Sequence, residues 1–84
     1  MLLTSFVPYP IGYIMKETFG SNIKKHREHS NMSRAELFVK SGVSIAQIER
    51  IEAGKSSPTL DTMVKLSSAL KVNISDLIGP MEAA

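Results

Sequence analysis

The chain has no cysteine, which excludes disulfides, thiolate metal sites and cysteine nucleophiles together. It has two histidines, too few for a structural zinc site. Neither a Gly-rich phosphate loop nor a nucleophile with a partnering base is legible, so no catalytic residue, metal or cofactor is expected and the chain does not read as an enzyme. Charge of one sign is also lacking. Ten basic and eight acidic residues leave a net +2, compatible with a polyanionic partner without requiring one. The uncharged stretch Met1 to Met15 falls short of the roughly 20 apolar residues of a membrane span. It also lacks the positive n-region of a secretory signal and is interrupted by Pro8, Pro10 and Gly12. The expected location is therefore cytoplasmic, with no membrane partner.

What remains is one small domain of 84 residues, 43% hydrophobic and 21% charged. A domain of this size buries only about 60% of its unfolded surface, so thin stability or self-association is expected. Every charged residue lies after Met15, which divides the chain into an arm or tail over 1–15, a domain over 16–79 and a short tail over 80–84. Within the first part, Phe6-Val7-Pro8-Tyr9 suits a short extended arm that could pack on a partner subunit, or a plain tail.

The domain reads as all-α, with five short helices. The first spans about Thr18 to His29, with Phe19, Ile23 and the stem of Arg27 on one face. The second opens at the capping box Ser33-Arg34-Ala35-Glu36 and ends at Lys40-Ser41, where Gly42 supplies the left-handed terminus. The third opens at a second box, Ser44-Ile45-Ala46-Gln47, and closes at Gly54, with Ile48 and Ile51 inward and Val43 packed before the cap. Thr59 caps the fourth, whose inner face is Leu60, Met63, Leu66 and Leu70. Asn73 to Ile78 forms a last capped turn before Gly79-Pro80.

Helices two and three are the informative pair. Two short helices joined by a tight Gly-bearing turn cross steeply, so the second can project from the body. With Val43, Ile48 and Ile51 inward, the outward side is Ser44, Ile45, Ala46, Gln47 and Arg50. This face is small or polar and ends in arginine. An exposed Ile45 suits contact with a thymine methyl, Gln47 a two-pronged bond to adenine, and Arg50 either guanine or a phosphate. Helix amino termini attract phosphate, and Arg34, Lys40 and Lys55 add a basic rim. Lys24 and Lys25, with His26 and His29, read as solvated surface of helix one.

From Phe19 to Ile78 the chain resembles the Cro/phage-repressor (XRE) helix-turn-helix family. The resemblance is carried by Ile23-Lys24-Lys25-His26-Arg27-Glu28, Met32-Ser33-Arg34-Ala35-Glu36-Leu37, Gly42-Val43-Ser44, Ile48-Glu49-Arg50-Ile51-Glu52-Ala53-Gly54-Lys55, Pro58 and Leu66 to Leu70. It implies a compact five-helix, lambda-repressor-like domain whose helix-turn-helix lies at helices two and three. It further implies base reading by Ser44, Ile45, Ala46, Gln47 and Arg50, and phosphate contacts from Ser33, Arg34, Lys55 and Ser56. In the family, the positions of Arg27 and Glu52 form an ion pair linking helix one to the end of helix three. Two positions depart from the pattern. Arg34 replaces a usual glutamine, which suggests phosphate binding, and Phe38 replaces a small residue, so its ring is expected to displace neighbouring core beside Ser41.

The function implied is sequence-specific regulation of transcription, most simply repression, at a palindromic double-stranded DNA operator. One reading helix supplies too little specificity, so a homodimer is expected, through Val72, Ile74, Leu77 and Ile78 or through Tyr9, Ile11 and Tyr13. The rival reading is an antitoxin or controller-type interaction module whose main partner is a protein such as a toxin.

Overall fold

The computed structural model describes residues 11–79, with side chains from residue 18 onward. Five helices follow in order: α1 (Ile11–His29), α2 (Arg34–Ser41), α3 (Ile45–Glu52), α4 (Leu60–Leu70) and α5 (Ile74–Ile78). Among the described residues there is no strand, and no helix is long and apolar enough to cross a membrane. The all-α, five-helix expectation holds.

The local stop and start signals act as the sequence suggests. Ser33 Oγ accepts from the Glu36 backbone N–H at 3.0 Å, and the Glu36 carboxylate accepts from the Ser33 N–H at 2.8 Å, closing the capping box of α2. Gly42 at φ +79° ends that helix, a backbone conformation that costs other residues steric strain. Thr59 accepts from the Thr62 N–H at 3.2 Å to open α4. The Asp76 carboxylate takes the Asn73 N–H at 3.1 Å to open α5.

Three local expectations are corrected. α1 starts at Ile11 and runs through Met15, well before Thr18, because each glycine in a helix costs only about 1 kcal/mol and a nineteen-residue helix outlasts both Gly12 and Gly20. The suggested arm at Phe6 to Tyr9 and the 80–84 tail lie outside the described residues. The box expected at Ser44 is half formed: Ser44 Oγ accepts from the Gln47 N–H at 3.1 Å, but the Ser44 N–H makes no return bond to the Gln47 side-chain oxygen. Leu60, placed on the inner face of α4, is 68% exposed. It is the first residue of α4, at the end of the stripe formed by Met63, Leu66, Ser67 and Leu70.

Phe19, Ile23, Leu37, Val43, Ile48, Ile51, Leu66, Leu70 and Leu77 form one core, with Met32, Met63, Ala69, Val72 and Ile78 packed around it. α1 lies against α3 and α5, while α2 lies against α3 and α4. Phe38 does not displace this core. It follows Leu37 by one residue, about 100° round the helix, and its ring turns outward with 43% of its surface exposed. Leu77, expected at a dimer surface, is wholly buried in the chain's own core, because α5 folds its single apolar turn back onto α1.

The α1–α5 seam is pinned by a residue whose role the sequence did not reveal. Asn22 Nδ2 donates to the Leu77 carbonyl at 2.7 Å, near the end of α5, and to the carbonyl of Gly79 just beyond it at 3.3 Å. Asn22→Ala is expected to lose about 1–3 kcal/mol, the usual cost of orphaning buried polar groups. Urea unfolding measures it. Loss of only a few tenths would mean that solvent replaces the amide.

Candidate nucleic-acid interface

The unit that positions the site is a pair of eight-residue helices joined by three residues, Gly42-Val43-Ser44. Ser41 Oγ accepts from the Val43 N–H at 3.0 Å, and Val43 is buried, so the turn is stitched from both sides. Ile48 and Ile51 are wholly buried beneath α3. The inner side of α3 is thereby fastened, and its other side faces outward.

On that outer side Ser44, Ala46 and Arg50 are exposed, Ile45 is partly exposed at the first turn, and Gln47 is half-buried at its edge. The half-formed cap has a consequence for this face. Because the Gln47 side chain does not bond back to Ser44, its donors and acceptor have no partner among the described residues. Glu49 was missing from the expected set, yet it is exposed beside Ile45 and Ala46, four and three residues on along the helix. The spacing contained that signal. Its carboxylate accepts hydrogen bonds and repels phosphate, so it narrows what the face can meet.

The α3 terminus brings a further cation to the same end. The Gly54 N–H donates to the Ile51 carbonyl at 3.0 Å, and the Lys55 N–H to the Arg50 carbonyl at 2.9 Å. Gly54 makes this reversal at φ +74°, leaving Lys55 exposed and Ser56 half-buried just past Arg50. Lys40 is not brought there. One turn after Glu36, it lines a groove of about 300 Å3 between α2 and the end of α4, together with Lys71. The helical period directs it towards α4 and away from the Arg34 side of α2.

A cluster of charges ties the unit together. Arg27, buried on α1, donates from Nε to Glu52 Oε2 at 2.7 Å and from Nη2 to Oε1 at 3.1 Å, a two-pronged pair. Its Nη1 donates to the Met32 carbonyl at 2.9 Å, in the loop that leads into α2. The hydrogen bond to Glu52 raises the Arg27 pKa above its ordinary value, against the opposing pull of burial. Arg34, first residue of α2, donates from Nε to Glu52 Oε1 at 3.0 Å. One carboxylate at the end of α3 therefore clamps α1 and the start of α2. The ion pair implied by the resemblance is present, and Arg34 is an addition to it.

Two crossing helices, a three-residue turn and an outward-facing second helix define a helix-turn-helix unit. Residues 23–77 match the helix-turn-helix family, and the chain belongs to it, as an XRE-type member. The HTH-type transcriptional regulator y4dJ of Sinorhizobium fredii is 29% identical over 68 residues, which are 81% of this chain and 88% of that protein. The HTH-type transcriptional repressor RghR of Bacillus subtilis is 42% identical over 57 residues, 67% of this chain and 42% of its own length. A crystal structure of a transcriptional regulator of this family from Vibrio cholerae matches with a TM-score of 0.76 at 30% identity, over 79% of this chain and 37% of that one. The chain thus spans most of the first relative and less than half of the other two. These relatives are transcriptional regulators rather than enzymes, and the chain is of that DNA-binding class.

Proposed function

We propose that this chain represses transcription as a homodimer on an inverted-repeat operator, each copy laying α3 in the major groove of double-stranded DNA. The outward face of α3 carries this reading: it is fastened from below by Ile48 and Ile51 and offers an exposed Arg50 and a Gln47 amide that is unengaged among the described residues. Gln47 pairs with adenine, Arg50 with guanine O6 and N7, and Ile45 meets a thymine methyl. Ser44 and the small Ala46 let the backbone approach the base edges. Glu49 fits only where a cytosine amino group stands opposite it. Arg34, Ser33, Lys55 and Ser56 take the phosphates, which fix register.

Each good base contact discriminates by about 1–3 kcal/mol, so one helix is not selective enough alone. Two copies on half-sites about 34 Å apart make up the difference. With Leu77 in the core, the dimer surface narrows to the half-buried Val72, Ile74 and Ile78. The other candidate, Tyr9 with Ile11 and Tyr13, falls on side chains outside the described residues. An operator overlapping a promoter then makes occupancy repressive.

Selection from a pool of random duplexes tests this reading. The expected result is an enriched inverted repeat, and Arg50→Ala relaxes preference at one position of each half-site. Recovery of no consensus from folded protein would overturn it, as would binding that ignores salt. A dimer neutralising several phosphates loses affinity with a log-log slope of about −0.9 per contact.

A further inference from the structure

We infer that Glu52, whose carboxylate is buried, is a positioning residue for DNA binding: by accepting from Nε of Arg34 it holds that side chain with the guanidinium's terminal nitrogens presented as a ready-made fork for a phosphate. This rests on the phosphate role proposed above for Arg34.

The geometry divides the work between the two arginines. The Glu52 side chain is 2% exposed, and its oxygens receive three hydrogen bonds, two from Arg27 and one from Arg34. Arg27 uses Nε and Nη2 on Glu52 and Nη1 on the Met32 carbonyl, so its donors turn inward. Arg34 is different. Its side chain is 39% exposed, and among the described residues only its Nε is engaged. Both arginines share one carboxylate, and Arg34 is the one on the outer side. An unrestrained arginine gives up rotamer freedom when it meets a phosphate; this one has given it up on folding. Because Glu52 is the last residue of α3, the same contact sets the Arg34 fork in register with the reading helix.

Plain Coulomb reasoning predicts the opposite effect for Glu52. A carboxylate beside a phosphate-binding surface repels DNA, so removing its charge tightens binding. Under the positioning role, removing it weakens binding. The sign separates the two.

The test measures affinity of the full chain for a mixed-sequence DNA duplex of fixed length across a potassium chloride series. Each value is corrected for the folded fraction read by circular dichroism. Arg34→Ala is expected to weaken binding about five- to tenfold and lower the salt slope by about one. Glu52→Gln, isosteric and uncharged, weakens it by a similar factor. The double variant binds no worse than Arg34→Ala alone, because Glu52 acts through Arg34. Arg34→Lys falls with Arg34→Ala, since one ammonium cannot hold Glu52 and fork a phosphate together. If Glu52→Gln does not fold, Arg34→Lys decides: retention of affinity within about twofold of the parent overturns the inference. Unchanged or tighter binding by folded Glu52→Gln, with Arg34→Ala still weakened, overturns it too and leaves the phosphate contact standing. No effect of Arg34→Ala removes the phosphate contact and the inference with it.

Discussion

Arg27→Ala is expected to cost about 3–5 kcal/mol of folding stability, the usual result of removing one partner from a buried ion pair. The loss falls on the Glu52 carboxylate, whose side chain is 2% exposed; it forfeits both Arg27 bonds and, among the described residues, keeps the one from Arg34. The Met32 carbonyl is orphaned as well. Small domains have a total stability of about 5–15 kcal/mol, so the variant should be substantially unfolded at mild urea concentrations. The pH behaviour follows from the raised pKa of Arg27. A cation whose folded pKa is raised contributes at all lower pH, and the contribution is lost only as pH rises through that value. The deficit should therefore be flat between about pH 7 and 9, below the range where arginine titrates. A companion variant tests the cause: Arg27→Met with Glu52→Leu removes both charges and should lose less than Arg27→Ala. If the double variant is the worse of the two, packing rather than an uncompensated carboxylate sets the cost.

Gly20→Ala is the second large effect, and its sign is the less obvious. On an exposed helical turn the change would add about 1 kcal/mol of stability, because glycine is the poorer helix former. Here α1 crosses α3 so closely that a Cβ on Gly20 would overlap the Ile51 carbonyl oxygen. The obstacle is backbone. That carbonyl already accepts the Gly54 N–H that ends α3, so it cannot swing away without undoing the terminus. Overpacking costs about 1–3 kcal/mol, and a rigid obstacle favours the upper end, so the net effect is destabilising despite the gain in helix propensity. The expected signature is a lower urea midpoint with an unchanged slope, and Gly20→Val is worse. A stabilised Gly20→Ala would mean that α1 and α3 separate more easily than their packing indicates.

Both effects lie where local reading could not reach. Caps, glycine termini and inner stripes depend on residues within about four positions, and these were legible: Ser33 with Glu36, Thr59, Gly42, and the buried Ile48 and Ile51. The outward set on α3 followed from the same period, although Glu49, three residues from Ala46, belonged to it and was overlooked. Arg34 is instructive in another way. Its charge and place at the start of α2 were plain, but its bond to Glu52 spans 18 positions and depends on where α3 ends relative to α2. Lys40 sits on the same helix, on a side the helical period separates from Arg34, and the groove it lines exists only because α2 packs against α4.

The amino-acid order alone determined that this is a five-helix, all-α chain with a short helix held out by a glycine turn, because hydrophobic period and cap chemistry act locally. Tertiary structure decided what that body kept for itself: Leu77 went into the core, Phe38 stayed outside it, Gly20 became a point of close approach between α1 and α3, and Glu52 came to serve two arginines. These outcomes depend on how closely and at what angle helices cross. That is a collective property of the folded core, and no short window of sequence encodes it.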